Sequence, residues 1–392
     1  MRFRDIIGQR ELINKIIHAV AQGRIAHAQL FLGGEGRQKL PLALAYAQYI
    51  NCTHKVSKQE VDDLGELEAD SCGHCPSCIK FTQLQHPDLH FIFPNNTNGR
   101  IDDKPKSSDF IGEWRTLCLQ RQAEFSLSQW YAAMGIGNKQ GTINTRDCGE
   151  ILDILNYKNY EADFKFIIIW MVEKLYYAAA PKILKVLEEP ADKTVFILIS
   201  ENQDQILNTI LSRTQLVKFP SLTSIDIENA LVNKHFVSTE KAHYIAQKAN
   251  GNYIEALSKI ENGEEDLYFH EMFVKWMRLC YLLDIPKLAE FGNQINKLGR
   301  ESIKQFLRHS MDKLRLCMLL HYGNEQWIHS EGEELKFISN FSQFIDANNI
   351  EQFNQNINNA IYHIERNANG NILMMDLSLR FYKLIKTKST KK

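Results

Sequence analysis

The sequence has almost no net charge. Its 392 residues include 46 lysines and arginines against 47 aspartates and glutamates, which gives a formal net charge of −1. Proteins that bind nucleic acid on their own usually carry an excess of positive charge, because the phosphate backbone dominates their affinity. The composition therefore gives no indication of a strongly basic surface. The basic tail from Lys386 is explained more simply as a solvated terminus.

Long apolar segments are also missing. The most apolar run, "FIIIWMV" from Phe166, is far too short to cross a bilayer and is typical of a buried strand. The start, "MRFRDIIGQREL", lacks the apolar region and cleavage site of a signal peptide. We therefore expect a cytoplasmic protein without a membrane partner, in which the eight cysteines are mostly reduced.

A third absence lies in the glycine loop, which we define as residues 33–39. A phosphate-binding loop reads G-x-x-x-x-G-K-[ST], where the second glycine lets the backbone curl round phosphates and the hydroxyl holds Mg²⁺. Here Gly33, Gly36 and Lys39 are present, but Gln38 replaces the second glycine and Leu40 replaces the hydroxyl. A predicted strand precedes this loop and a predicted helix follows it, as in a working site. The pattern alone fits a nucleotide site, a chance similarity or a nucleotide site that has lost its function.

The order of the predicted elements indicates a parallel α/β sheet. Strands are predicted at "AQLFL", at residues 165–171, at "TVFILIS" and at "QLVKF", with helices between them. An insert follows the first strand and its helix. From about Ser221 the strand signals stop, and the remaining chain has helical periodicity. The sequence thus predicts an α/β domain followed by an all-α region.

A cluster of cysteines follows the glycine loop. "CGHCPSC" places Cys72, Cys75 and Cys78 at C-x2-C-x2-C spacing, and Cys52 precedes them. Four thiolates satisfy tetrahedral zinc and leave no position for water, so this site is predicted to be structural. His74 is an alternative to Cys52 as the fourth ligand. Free core cysteines and a redox pair explain the spacing less well. The remaining cysteines are isolated and are expected to pack in the interior: Cys118, Cys148, Cys280 and Cys317.

Several segments taken in order resemble a known family. "FRDIIGQRELINKIIHAVAQGRIAHAQLFLGGEG", "CGHCPSC", "HPDLHFI", "AAAPKILKVLEEP" and "TILSRTQLVKF" are similar to the delta-prime subunits of bacterial DNA polymerase III clamp loaders, a non-catalytic branch of the AAA+ proteins. The resemblance covers residues 1–95 and 163–260 well, and the last third only loosely. It implies an AAA+ type α/β domain over 1–222, a helical lid over 223–262 and a helical collar for oligomerisation over 263–392.

The predicted first domain contains two further parts. The zinc module occupies about residues 52–80, and an insert of about residues 100–160 departs from the family pattern. Phe110, Trp114 and Leu117 of this insert share one side of a helix. Contacts with a polymerase, with the clamp or with the zinc module are alternatives for its role, and surface padding is the default interpretation.

The resemblance further shows which ATPase residues have been replaced. The acidic pair that holds magnesium and activates water corresponds to Trp170 and Met171, and Glu173 is two residues too far along. Glu255 stands where the lid arginine would be. Ser200 or Asn202 could supply the polar sensor. Since most of the requirements fail, we expect neither intrinsic ATPase activity nor bound ATP.

One family residue with a catalytic role remains. Ser212, Arg213 and Thr214 match the family's Ser-Arg-Cys motif, whose arginine completes the ATP site of a neighbouring subunit. The resemblance thus implies that Arg213 acts in trans, supported by Ser212. Without the resemblance, an arginine that caps a helix C-terminus would be the preferred interpretation.

The sequence therefore predicts a non-hydrolysing subunit of a replication clamp loader. The resemblance implies ATPase subunits and a delta subunit as partners, with the sliding clamp and primer–template DNA reached through the complex. An ATP-hydrolysing motor subunit is the alternative, against which the residues at 38, 40, 170 and 171 argue. An independent zinc protein that binds nucleic acid is a third hypothesis, and the near-neutral charge argues against it.

Overall fold

The computed structural model describes residues 1–58, 66–101, 103–137, 139–261, 263–323 and 332–389. The chain divides into two compact units, Met1–Ser258 and Lys259–Lys392. Parts of the predicted zinc module and insert, the last residue of the predicted lid and the end of the basic tail lie outside the described residues.

The first unit is built on a parallel sheet of five strands in the order β4-β5-β6-β1-β7, and β2 and β3 form a separate antiparallel pair. The strands are β1 (Ala28–Leu32), β2 (Val56–Ser57), β3 (Ala69–Asp70), β4 (Leu89–Ile92), β5 (Lys165–Trp170), β6 (Thr194–Ser200) and β7 (Gln215–Lys218). This sheet confirms the predicted parallel α/β architecture. It also contains β4, a strand that the predicted order lacked.

Helices cover both faces of the sheet. In the first unit they are α1 (Arg10–Ala21), α2 (Lys39–Ile50), α3 (Pro76–Thr82), α4 (Ile111–Gln120), α5 (Leu127–Met134), α6 (Thr145–Leu155), α7 (Ala180–Glu188), α8 (Asn208–Leu211), α9 (Ser224–His235), α10 (Thr239–Lys248) and α11 (Tyr253–Glu261). Short 3₁₀ turns occur at Phe3–Asp5, Ser107–Phe110, Val172–Lys174, Tyr177–Ala179 and Gln203–Gln205.

The apolar strand β5 shows why the sheet is covered on both sides. All six of its residues are buried. Phe166, Ile168 and Trp170 face a core shared with α1, α2, α4 and α5. Ile167 and Ile169 face a second core shared with α6, α7 and α8. A strand that is buried on both faces reads as a continuous apolar run, which is what made β5 and β6 recognisable in the sequence.

The helices α9 to α11 belong to the first unit. The Thr223 hydroxyl accepts a hydrogen bond from the Asp226 amide at 3.1 Å, and the Asp226 carboxylate accepts one from the Thr223 amide at 3.2 Å. This reciprocal pair is a capping box that begins α9. Ser238 is the N-cap of α10 but makes no side-chain capping bond.

The described part of the second unit is helical. Its helices are α12 (Gly263–Leu282), α13 (Ile285–Asn296), α14 (Arg300–His321), α15 (Gly332–Ser342), α16 (Ile350–Glu365) and α17 (Gly370–Ser389). Trp276 is fully buried at its centre, stacks on Phe381 at 4.9 Å and donates its indole N–H to the Ser378 hydroxyl at 2.8 Å. The described helices include no segment with the length and apolar character needed to cross a membrane.

Candidate functional site

Gln38 connects the glycine loop to distant parts of the domain through side-chain hydrogen bonds. This residue lies directly before α2 with φ of +66°, a left-handed conformation that glycine adopts more cheaply. Its side-chain oxygen accepts a hydrogen bond from the Ile7 amide at 3.1 Å, and its side-chain nitrogen donates one to Glu124 at 2.6 Å. The glycine of a phosphate-binding loop has no side chain that could form such bonds.

Glu124 comes from the insert and is buried beside the loop. It is only 5% exposed, and burial raises the pKa of its carboxyl group to about 8. The positive charge of Lys39 opposes this shift without cancelling it. The folded protein therefore keeps Glu124 largely protonated at neutral pH, where the unfolded chain would ionise it.

This raised pKa predicts how stability changes with pH. Because the folded pKa lies above the unfolded value of 4.5, the contribution of Glu124 is fully present below pH 4.5 and is lost as the pH rises to about 8. Relative to Glu124→Gln, the free energy of unfolding of the wild type should fall by up to ~1.4 kcal/mol per pH unit in this window. Urea unfolding of both proteins between pH 5 and pH 9 measures this difference. Parallel pH profiles for the two proteins would show that the assigned pKa is wrong.

Lys39 is enclosed by acidic groups. It is 6% exposed, burial lowers its pKa, and its ammonium group donates to the Gly34 carbonyl of the same loop. Glu201 lies 3.9 Å from the ammonium nitrogen. The negative charges of Glu201, Glu173 and Glu35 oppose this lowering of the lysine pKa, whereas Glu124 is largely protonated at neutral pH. A triphosphate at this position would meet more negative than positive charge.

Buried apolar side chains occupy the two positions that the resemblance aligns with a magnesium-binding acidic pair. Trp170 ends β5 and is 5% exposed. Its ring lies 5.3 Å from that of Trp114 and 5.4 Å from that of Phe125. Met171 follows with φ of +58° and 3% exposure. Neither side chain has an oxygen atom to offer a metal ion.

The insert forms part of the domain core. Trp114 is fully buried, stacks on Phe93 at 4.4 Å and meets the edge of Trp130 at 5.1 Å. Asp147 is also fully buried and accepts bonds from the Ser107 hydroxyl at 2.8 Å and the Asn95 amide group at 3.0 Å. The insert therefore contributes to the core, which its default interpretation as surface padding does not include. Its helices pack on the sheet beside the glycine loop.

The residues that the resemblance aligns with the sensor and with the lid arginine make local contacts within this chain. The Ser200 hydroxyl donates to the Asn202 carbonyl at 3.3 Å and accepts from the Asn202 amide at 3.2 Å. Glu255 lies in the first turn of α11. The Tyr253 amide at the start of this helix donates to the Gly36 carbonyl at 3.2 Å. The start of α11 therefore lies directly against the glycine loop.

Arg213 lies just beyond the end of α8. Its Nε donates to Glu188 at 2.6 Å, and Nη1 donates to the Thr209 carbonyl at 2.9 Å and to the Ser212 hydroxyl at 3.2 Å. Its side chain remains 33% exposed, and that of Glu188 is 49% exposed. An exposed ion pair of this kind contributes only ~0–1 kcal/mol, so the guanidinium can leave it at small cost. The Thr209 contact is the one that a helix-capping arginine would make.

The four predicted cysteine ligands lie together. Their sulfur atoms are all within 4.8 Å of one another, and they belong to Cys52, Cys72, Cys75 and Cys78. The Cys52 and Cys72 sulfurs are 3.6 Å apart, and those of Cys72 and Cys78 are 3.9 Å apart. A hydrogen bond from Cys78 lowers the pKa of Cys52 and raises that of Cys78, so without a metal ion one proton is shared within this pair. This cluster could hold a metal ion.

Local backbone geometry positions these sulfurs. Gly73 has φ of +81°, and the amides of Cys75 and Cys78 donate to the sulfurs of Cys72 and Cys75, both at 3.4 Å. His74 is exposed, and its ring nitrogen lies 3.1 Å from the Cys72 carbonyl oxygen. The alternative fourth ligand, His74, is thus absent from the cluster.

A buried carboxylate connects the cluster to the start of the chain. Asp70 is fully buried and accepts hydrogen bonds from the Phe3 amide at 3.0 Å, the Arg4 amide at 3.1 Å and the Ser71 amide at 2.7 Å. The Arg4 guanidinium pairs with the same carboxylate at 3.2 Å. The segment before Cys72 is therefore held firmly against the domain.

Comparisons with known proteins place the chain in a family. The family described as "DNA polymerase III, delta subunit" matches residues 8–223. DNA polymerase III subunit delta' of Bacillus subtilis (strain 168) is 24% identical over 354 residues, which cover 90% of this chain and 88% of that protein. DNA polymerase III subunit tau of the same organism is 26% identical over 267 residues, covering 67% of this chain and 38% of that protein.

A solved structure also aligns with most of the chain. It is a DNA polymerase III gamma subunit-related protein from Thermotoga maritima, 13% identical, with 96% of this chain and 100% of that chain covered. Its TM-score is 0.35, so it adds no weight to the assignment. The family match alone spans more than half of the sequence. This match defines a protein related to the subunits of DNA polymerase III. The chain belongs to the family described as "DNA polymerase III, delta subunit".

Proposed function

We propose that the chain is the non-hydrolysing delta-prime subunit of a replication clamp loader, an AAA+ type protein that helps to load the sliding clamp. In this proposal it assembles with ATPase subunits and a delta subunit, and it reaches the clamp and primer–template DNA through that complex. The family match and the similarity to a delta' protein along most of the chain support this assignment.

The observation that carries the non-hydrolysing role is the occupation of the degenerate site by the insert. Gln38 bonds to Glu124, and Trp170 packs on Trp114 and Phe125. Each loss of a group that stabilises the transition state typically reduces the rate by about 10²-fold or more. Here the loop glycine, the hydroxyl and the acidic pair are all replaced, so no hydrolysis is expected.

Arg213 is proposed to act on a neighbouring ATP site. It is partly exposed and carries a fixed positive charge, and in the isolated chain it is held by an exposed ion pair with Glu188 and by hydrogen bonds to Thr209 and Ser212. An arginine that enters a partner's site neutralises the charge that spreads over the transferred phosphoryl group. Ser212 supports this residue by accepting a hydrogen bond from its guanidinium group.

The cysteine cluster is proposed to hold structural zinc. Zinc–sulfur bonds of about 2.3 Å in a tetrahedron place the sulfurs roughly 3.8 Å apart. The sulfur separations of 3.6 and 3.9 Å are close to this value. Four thiolates leave no open coordination position, so the ion would stabilise the fold without taking part in a reaction.

An ATP-hydrolysing motor subunit is the second candidate, since the chain is also 26% identical to a tau subunit over 267 residues. The two candidates differ in what the isolated chain does with ATP. We expect the purified chain to hydrolyse ATP at least ~10²-fold more slowly than the complex formed with ATPase subunits. It should also fail to bind labelled Mg–ATP at 1 mM in equilibrium dialysis.

Two controls make this test decisive. Lys39→Ala should leave the residual ATP hydrolysis of the isolated chain unchanged. This result is expected because the glycine loop makes no contribution to that residual rate. Mixing the chain with ATPase subunits and delta should yield a single complex on gel filtration. Turnover by the isolated chain that disappears in Lys39→Ala would favour the motor subunit. A failure to join the complex would remove the clamp-loader assignment itself.

A further inference from the structure

An open groove lies between α1 and β7. It has a volume of about 660 Å³, and no residue of the glycine loop lines it. β7 ends the sheet on this side and, among the described residues, pairs only with β1. The groove therefore exposes a sheet edge, which proteins usually cover or protect.

Apolar side chains form the floor of the groove. The contributing residues are Leu12, Ile16 and Ala19 from α1, Ile25 from the following loop and Val217 from β7. Leu216 also lines the groove and is 41% exposed. A partly exposed apolar floor is stabilised when another apolar surface covers it.

The rim of the groove is positively charged. Lys15, Arg24 and Lys218 line it and are exposed, and no acidic side chain contributes to the lining. Within the described parts of the chain, these three residues have no ion-pair partner. A surface with unpaired charges of one sign is complementary to a ligand of the opposite sign. The groove thus favours an acidic ligand.

The edge of β7 offers backbone hydrogen bonds as well. The Phe219 amide donates to the Leu32 carbonyl at 2.8 Å, so this residue faces β1. Because backbone groups alternate in direction along a strand, the N–H and C=O groups of Leu216 and Lys218 face away from β1. An extended peptide can pair with such groups and become an additional strand.

We propose that this groove binds an extended acidic segment of another polypeptide, which adds to the edge of the sheet at β7. Alternate apolar side chains of the segment would pack on the floor, and its carboxylates would meet the three cations. A nucleic acid fits less well, because phosphates gain nothing from an apolar floor and the chain has a net charge of −1. This proposal does not depend on the proposed function.

The test uses a fluorescent octapeptide that alternates glutamate and valine, titrated against the full chain by anisotropy. We expect saturable binding below 1 mM. Combined Lys15→Glu, Arg24→Glu and Lys218→Glu substitutions should weaken it by at least ~10-fold, because the charge complementarity is reversed. The matched peptide of lysine and valine should bind this charge-reversed variant better than it binds the wild type.

A proline substitution tests the strand pairing. Leu216→Pro removes an N–H that faces away from β1, so the internal ladder stays intact while one bond to the peptide is lost. Leu216→Ala is the matched control, with the same loss of side chain but an intact N–H. The proline variant should bind the acidic peptide several-fold more weakly than the alanine variant. Circular dichroism would verify that both variants are folded.

Three outcomes would overturn the proposal. The acidic peptide could fail to bind the wild type at 1 mM. A single-stranded oligonucleotide could displace the peptide and bind more tightly, which would make the groove a nucleic-acid surface. Sedimentation could show that the wild type is a dimer which Leu216→Pro dissociates, so that a second copy of the chain covers the edge.

Discussion

Arg213→Ala should almost abolish ATP turnover at the neighbouring site that this residue is proposed to complete. An arginine supplied in trans is worth roughly 10³ to 10⁵ in rate, because it neutralises charge that develops only in the transition state. The measurement requires a reconstituted complex in which only the ATPase subunit next to this chain keeps a working site. Turnover in that complex should then fall by about 10³-fold or more.

The control variants separate a role in trans from helix capping. Arg213→Lys keeps the positive charge but loses the planar guanidinium group with its paired N–H donors. Its rate should therefore be little higher than that of Arg213→Ala. Arg146→Ala removes another exposed arginine, one that bonds to the Lys104 carbonyl, and should leave turnover unchanged. If Arg213 only capped α8, its replacement would cost the isolated chain about 0.3–1 kcal/mol of stability and leave the complex active. An unchanged rate in the complex would refute the role in trans.

Glu188 gives this assignment an additional check. Its carboxylate holds the Arg213 guanidinium in the isolated chain through an exposed ion pair. Glu188→Gln should therefore free the arginine without removing it, and turnover in the complex should be retained. A loss as large as that of Arg213→Ala would mean that the pair itself, rather than the arginine alone, forms the functional unit.

Features set by local sequence were predictable. β5 and β6 are buried on both faces, so their apolar runs are visible without any knowledge of the partner strands. The spacing of Cys72, Cys75 and Cys78 fixes a tight turn, and the structure places the three sulfurs together. In contrast, β4 was omitted from the predicted order. It has only four residues, and His90 interrupts its apolar pattern.

Contacts between distant segments were not predictable. Gln38 and Glu124 are 86 positions apart and form a hydrogen bond that no periodicity or motif encodes. The sequence showed that Gln38 was wrong for a phosphate loop, but not what it contacts instead. The buried side of the insert was visible in Phe110 and Trp114, yet its position beside Trp170 depends on the tertiary fold. The partner of Arg213, Glu188, was missed for the same reason.

Replacement of single cysteines should release the zinc ion. We expect about one equivalent of zinc per wild-type chain, and little in Cys75→Ser, Cys78→Ser or Cys52→Ser, because each change removes one of four thiolates. Binding free energies of structural zinc reach about 10–16 kcal/mol in small zinc-finger peptides, so its loss should also lower the melting temperature. Metal analysis after dialysis and thermal unfolding measure the two effects. A full equivalent of zinc in both Cys75→Ser and Cys78→Ser would refute the metal site.

Two further variants distinguish ligands from neighbours. His74→Ala should retain the zinc, because the His74 ring lies against the Cys72 carbonyl rather than among the sulfurs. Cys317→Ser should also retain it, since this isolated cysteine is buried in the second unit. If His74→Ala loses zinc while Cys52→Ser keeps it, the fourth ligand is the histidine. Because Asp70 holds the adjoining segment through its own hydrogen bonds, the loss of zinc should loosen the cysteine turns while the parallel sheet remains folded. Far-ultraviolet circular dichroism of the zinc-free variants should accordingly stay close to that of the wild type.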